Sequence, residues 1–232
     1  MPRDFLDRKI SDLKDQVLVL ESMVRQSILV AVEALMDRDE EASRRIYKYD
    51  IFVNEKRFAI EKDCLTTIAT QQPIARDLRI LSSILEVITE LERIGDYAKG
   101  IGRINLMLVE PLLPNPMMDL PIMTRLACDM LMRATNAFVQ SDIEAARLIP
   151  AEDDQVDLYF NRIYHGLVKY VIQNPDSVDQ ANHLQWAAHN IERMADRVTN
   201  ICERTIFIAT GEMNELEESD NEAKKIHPMM RL

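Results

Sequence analysis

Glycine is scarce in this chain, five residues in 232, which leaves little material for tight turns. Cysteine is scarcer: Cys64, Cys128 and Cys202 are far apart, odd in number and form no C-x-x-C pair. That excludes a disulfide framework and fits buried, inert thiols in a reducing compartment. Positive charge is in deficit, with 28 basic against 39 acidic residues and a net charge of −11. A nucleic-acid-binding role would need a compact basic patch, and the basic residues are instead interspersed with acids, as Arg44 and Arg45 are beside Glu40 and Glu41. Such a surface recruits cations or the basic faces of partner proteins. No apolar run reaches the roughly 20 residues a bilayer span requires. The stretch from Met1 to Asp15 is dense in charge and has no signal-peptide core. The expected location is cytoplasmic, with no direct membrane insertion. Enzyme signatures are missing too: there is no phosphate-binding Gly-rich loop, no G-x-S-x-G, no H-E-x-x-H and no E-x-x-H of di-iron bundles.

What the chain does hold is helical periodicity. Ile10, Leu13, Val17, Leu20, Val24, Ile28, Ala31 and Leu35 follow at steps of three and four, which puts them on one helix face. Asp39 opens a second helix, with Glu40 and Glu41 where the helix dipole favours anions. Ile46, Val53, Ile60 and Ile68 mark its buried face, with Phe52 and Phe58 alongside. Pro73 ends it and suits the entry to a third helix, from about Ile74 to Val109, striped by Ile80, Ile84, Val87, Leu91, Ile94, Ala98 and Ile101. Pro111, Pro114, Pro116 and Pro121 then break the chain almost at its middle. A second set of three helices is predicted beyond them: one over about 122–140, one capped near Ser141 and Asp142, and one from the turn at Asn174–Ser177 to about Gly211. The predicted fold is all-α, two tandem three-helix bundles at 1–110 and 122–211, joined by a Pro-rich linker at 111–121 and followed by an acidic tail at 212–232.

The two halves repeat in sequence as well as in plan. Glu90-Leu-Glu-Arg-Ile-Gly-Asp-Tyr-Ala-Lys-Gly-Ile101 matches Asn190-Ile-Glu-Arg-Met-Ala-Asp-Arg-Val-Thr-Asn-Ile201 at an offset of 100 residues. Asp50-Ile-Phe-Val-Asn54 matches Asp153-Asp-Gln-Val-Asp157 at an offset of 103. The difference predicts a shorter loop near Asn174 than near Gln72.

Each repeat therefore carries a Glu-x-x-x-Asp pair, Glu92 with Asp96 and Glu192 with Asp196. Four residues on a helix is one turn, so both carboxylates share a face and repel by a few tenths of a kcal/mol. A lone pair of this kind is commonplace and is usually a solvated face. Its recurrence in register suggests that a cation sits between the carboxylates. If the helices pack antiparallel, Asp50 and Asn54, and in the second half Asp153 and Asp157, would complete each site. His189, one turn before Glu192, has two readings, a ligand or the commoner half-buried structural histidine; the equivalent position is Thr89. Arg93 and Arg193 would pair with neighbouring carboxylates and tie helices together.

Three stretches together resemble the PhoU family, regulators that accompany bacterial phosphate uptake systems. They are the two Glu-Arg-x-x-Asp motifs, Asp50 to Asn54, and Pro73-Ile-Ala-Arg-Asp-Leu-Arg79. The resemblance covers nearly the whole chain. It implies a pseudo-symmetric pair of three-helix bundles and metal ions at the carboxylate pairs, with iron or zinc first and manganese or magnesium as further options. It implies a homodimer that restrains phosphate uptake and the phosphate-starvation response. It would do so by linking the ATPase subunit of the phosphate ABC transporter to a membrane sensor histidine kinase, with no catalysis of its own. The second repeat lacks a counterpart to Pro73–Arg79, which singles out Arg76, Asp77 and Arg79 as candidate partner contacts. Two other readings compete: a carboxylate-metal hydrolase of phosphate esters, and a scaffold whose carboxylates are merely solvated.

Overall fold

The computed structural model describes residues 2–108, 114–213 and 216. Pro111 and most of the acidic tail lie outside them. The described residues form six long helices and two short ones, with no strand among them. The first three are α1 (Pro2–Asp37), α2 (Glu40–Gln71) and α3 (Ala75–Met107). One helical turn, α4 (Pro114–Met117), leads to α5 (Leu120–Gln140). Then come α6 (Ile143–Leu148), α7 (Asp153–Gln173) and α8 (Val178–Thr210).

The repeat is visible in how the chain turns. Arg38 takes a left-handed φ of 57°, and Asp39 then caps α2 by accepting the Ala42 amide at 2.9 Å. Ser141 takes the same φ of 57°, and Asp142 caps α6 by accepting the Ala145 amide at 3.1 Å. In both places the capping residue's own amide returns to a carbonyl five residues back, at 2.8 Å, so the helix stops and restarts in one compact device. Gly211, at φ 79°, ends α8, a conformation that glycine adopts without strain.

The buried faces follow the periodic stripes. Every stripe residue predicted for α1 and α3 is buried, as are Leu184, Ala187, Ile191, Met194, Val198, Ile201 and Ile208 of α8. Phe52 and Phe58 do not join the core; they are 55% and 57% exposed on the outer side of α2. The proline segment also differs from expectation. Pro114 and Pro116 lie within one helical turn and Pro121 in the first turn of α5. A first turn has no internal partner for its amides, so a missing N–H costs nothing there. Pro150 acts differently: it splits the second helix of the second repeat, and a 3-10 turn over Ile149–Glu152 separates α6 from α7. The connection at Asn174–Ser177 is not shorter than that at Gln72–Ile74. The shortening lies in α8, which has three fewer residues before Glu192 than α3 has before Glu92. Nearly one helical turn is removed, so the buried stripe stays in phase.

Within the first repeat α2 and α3 run antiparallel: Ser43 meets Gly102, Asp50 meets Lys99 and Cys64 meets Leu81. The repeats meet along α3 and α8, also antiparallel, and along α1 and α5. On the α3–α8 seam Arg197 reaches Tyr97 Oη (3.3 Å) and Glu90 (3.4 Å), and the Arg193 guanidinium stacks on the Tyr97 ring at 4.9 Å. One hydrophobic core runs through both repeats. Its three thiols are buried, and burial pushes Cys64, Cys128 and Cys202 up to about 12, which leaves them unreactive.

Candidate metal-binding faces

The antiparallel pairing of α2 with α3 brings Asp50 beside the first Glu-x-x-x-Asp pair. Glu92 is half-buried and Asp96 exposed, one residue after Leu91 and two after Ile94 of the buried stripe. Asp50 is only 7% exposed. Its Oδ2 accepts the Lys99 ammonium at 2.6 Å and the Asn54 amide at 3.2 Å. Lys99 also lies over the Tyr47 ring, 5.1 Å from its centre. The three carboxylates act on one another. Burial raises the Glu92 pKa, and the charges of Asp96 and Asp50 raise it further, against Arg57 and Arg93. Burial raises Asp96 as well, with Asp50 adding and Lys99 opposing. Arg57 itself pairs with Glu61 at 2.9 Å.

That arrangement fixes a pH dependence. A carboxyl group whose pKa is higher folded than unfolded binds more protons in the native state. Stability then falls as pH rises through the carboxylate range, and the penalty is fully present at neutral pH. Asp96→Asn is expected to raise the melting temperature of chelator-treated protein at pH 7. The gap should close below the ordinary aspartate range, where Asp96 is protonated in both states. Thermal melts at pH 7 and about pH 2.5 check this; an unchanged or lowered melting point at pH 7 contradicts it.

In the second repeat Glu192 is half-buried, Asp196 exposed, and Asp153 and Asp157 half-buried on α7. His189 lies 3.5 Å from Glu192, between the rings of Phe160 (5.9 Å) and Trp186 (5.7 Å). Burial, followed by the charge of Arg193, lowers its pKa, against Asp196. Its imidazole is therefore neutral at pH 7, the form in which a ring nitrogen can bind a metal. Among the described residues no three His, Cys, Asp or Glu side chains are drawn as close as one ion's coordination sphere requires. The acids line adjoining helix faces, but their side chains are not gathered.

The remaining candidates divide. Arg76 is exposed and Asp77 half-buried at the start of α3, beside Ile74, which is 79% exposed. Arg79 is engaged inside the molecule: its Nε donates to the Ile208 carbonyl at 3.1 Å, holding the end of α8. Arg93 pairs with Glu90 at 3.7 Å, whereas Arg193 serves the seam. Sequence reasoning missed Lys99 and Arg57. The available signal for Lys99 was its place three residues after Asp96, where the second repeat has Thr199.

The PhoU domain model matches residues 17–104 and again 120–205, once per repeat. A phosphate-specific transport system accessory protein PhoU homolog of Aquifex aeolicus is 30% identical over 208 residues, covering 90% of this chain and 94% of that protein. The Escherichia coli K12 phosphate-specific transport system accessory protein PhoU is 31% identical over 204 residues, covering 88% and 85%. The crystal structure of the phosphate transport system regulatory protein PhoU from Streptococcus pneumoniae superposes with a TM-score of 0.83 at 29% identity, covering 90% of this chain and 99% of that one. PhoU from Pseudomonas aeruginosa superposes with a TM-score of 0.82 at 27% identity, covering 89% and 99%. With a helical trio matched in each half and relatives aligned along nearly its full length, this chain belongs to the PhoU family.

Proposed function

We propose that this protein is a metal-binding regulatory adaptor of a phosphate-specific transport system. It holds phosphate uptake and the starvation response in check by coupling the ATPase subunit of the transporter to a membrane sensor histidine kinase. The observation that carries this reading is the match of both repeats to the family, together with the named role of the relatives as accessory and regulatory proteins. Further support comes from the open position of the carboxylates. Glu92 and Glu192 are half-buried and Asp96 and Asp196 exposed, so these pairs lie on an open face. Such a face is open to cations from solvent. No helix of the described residues is long and apolar enough to cross a membrane.

The donor chemistry suits hard or borderline cations: carboxylate oxygens from Asp153, Asp157, Glu192 and Asp196, with the neutral His189 imidazole beside them. Iron or zinc fits that mixture, and manganese or magnesium fits the oxygens alone. In the first repeat the corresponding set is Asp50, Asn54, Glu92 and Asp96. A homodimer is the proposed working form. The exposed start of α3, with Arg76 and Asp77, is the proposed partner contact.

The test is a pull-down with tagged protein from phosphate-replete cells. The transporter's ATPase subunit and the sensor kinase are expected to co-purify, and Arg76→Glu should reduce the recovered ATPase several-fold. Recovery of neither partner, with the protein folded and abundant, rejects the adaptor reading.

A further inference from the structure

Acids and bases are interspersed over most of this chain, but one interval breaks the pattern. From Leu158 to Pro175 there is no acidic residue, the longest such interval in a chain with 39 acids. It spans most of α7 and carries Arg162, His165 and Lys169 at steps of three and four, so the three share one helix face. The common plan of the repeats does not require them. Val53, Ile60 and Cys64 are buried in α2 as Val156, Ile163 and Leu167 are in α7, which sets the register. In that register the counterparts are Ala59, Lys62 and Thr66, and Asp63 stands where α7 has Gly166.

The structure gives this face an opposite wall. α4 lies against α7 at Gly166, where a Cβ would stand 3.4 Å from the Pro116 Cα, so the missing side chain lets the two backbones approach. Beside that contact a cavity of about 760 Å³ opens over Asn161, Arg162, His165, Lys169, Tyr170 and Asp119. Its volume falls in the roughly 300–1,000 Å³ range of small-molecule sites. Asp119 is the only carboxylate among the described lining residues, and it is engaged: Arg162 Nε lies 3.0 Å from its Oδ2. The Tyr159 ring supports the same guanidinium from a second side, at 5.3 Å. The fork of Arg162 is thus oriented at the rim of the cavity. The other polar groups of the lining are rich in donors: the Lys169 ammonium, the His165 ring N–H, the Asn161 amide and the Tyr170 hydroxyl. Arg162 and Lys169 are two turns apart, roughly 10 Å along the axis. A ligand that meets donors over this span is elongated as well as anionic, and carries acceptor oxygens along its length.

We infer that the groove between α4 and α7 is a binding site for a ligand with a chain of phosphoryl groups, held by Arg162, His165 and Lys169. A nucleoside triphosphate and an inorganic oligophosphate share this chemistry. The site uses none of the carboxylate pairs, so it stands whether or not those bind metal. It gives an acidic protein one place where an anion is attracted, on the second repeat alone.

The experiment is calorimetric titration of the full chain in low-salt buffer, after chelator treatment and dialysis so that no metal ion bridges ligand to carboxylate. The probes are tripolyphosphate, ATP, orthophosphate and citrate, and circular dichroism checks the fold of each variant. Tripolyphosphate is expected to bind once per chain, at least about tenfold more tightly than orthophosphate or citrate. Arg162→Gln with Lys169→Gln keeps a donor for Asp119, removes both charges, and should weaken binding at least about tenfold. Asn161→Phe places the first-repeat counterpart, Phe58, in the groove; it changes no charge and should weaken binding at least about fivefold by filling the space. Arg44→Gln with Lys48→Gln removes two charges from the exposed side of α2 and should change affinity less than about twofold. ATP binding more tightly than tripolyphosphate assigns the site to a nucleotide; ATP binding equally or less tightly assigns it to an inorganic chain. Three results overturn the inference: no binding of either chain, citrate or orthophosphate binding as tightly as tripolyphosphate, or equal losses from the α7 and α2 charge variants.

Discussion

Replacing Asn105 by leucine is expected to cost about 3 kcal/mol of stability and to lower the melting temperature by roughly 6–12 °C. Asn105 is fully buried near the end of α3. Its Nδ2 donates to the Ala34 carbonyl and Ser43 Oγ, both at 2.9 Å, and to the Asp39 carbonyl at 3.2 Å. Its Oδ1 accepts from the Arg38 guanidinium, which also reaches the carbonyls of Asn105 and Leu108. One side chain thus binds the left-handed turn between α1 and α2 to the far end of α3. Leucine keeps the branched shape but carries bulkier methyl groups, so the substitution opens no cavity, crowds atoms now at hydrogen-bond distance, and leaves a buried hydroxyl and part of a guanidinium without their partner. The second repeat supplies the control. Thr205 stands at the equivalent position, and its hydroxyl donates only to Ile201 within α8, at 3.1 Å. Thr205→Val should cost less than about 1 kcal/mol, because only one local bond is lost. Urea melts measure both. A loss below about 1 kcal/mol for Asn105→Leu would mean that the turn is held by its own left-handed geometry and cap, without the network.

Most of the helical frame was readable because it is local. The stripes of α1, α3 and α8 are set by period alone, and the Asp39 and Asp142 caps by side chains that bond their own next turn. The misreadings came from position within an element. Pro114, Pro116 and Pro121 read as breakers in the sequence, although a first turn tolerates proline; Pro150, inside a segment that otherwise continues, is the one that splits a helix. Hydrophobicity sets Phe52 and Phe58 alongside the buried face of α2, yet they lie off the stripe of Val53 and Ile60 and are exposed. The carboxylate pairs were legible from the register of the repeat. What surrounds them was not, because Lys99 reaches Asp50 from another helix and no spacing rule encodes a contact 49 residues apart. Arg79 shows the same limit. Its sequence neighbourhood resembles a surface motif, yet it holds the Ile208 carbonyl, 129 residues away.

Leu91→Ala and Ile191→Ala, one in each repeat, are expected to cost about 2–5 kcal/mol apiece and to lower the same single melting transition. Both side chains are fully buried, at equivalent places on α3 and α8. A chain of this length can unfold in stages, and two three-helix units joined by a proline segment would be candidates for separate transitions. The seam argues against that. Arg197 joins Glu90 and Tyr97 across it, Gly100 lets Asn190 approach closely, Arg79 holds the end of α8, and Lys14 of α1 donates to the Val139 carbonyl of α5 at 2.7 Å. If one repeat unfolded alone, the other would expose the apolar surface of the common core and leave these groups without partners. Differential scanning calorimetry decides the matter through the ratio of calorimetric to van't Hoff enthalpy, which should stay near one in the wild type and in both variants. Two resolved transitions, or a shift of only one of them by each substitution, would show that the repeats melt independently. Cooperative unfolding has a consequence for regulation. The helices that carry the carboxylate pairs are the same two that form the seam, so a change in the packing of α8 is felt by α3.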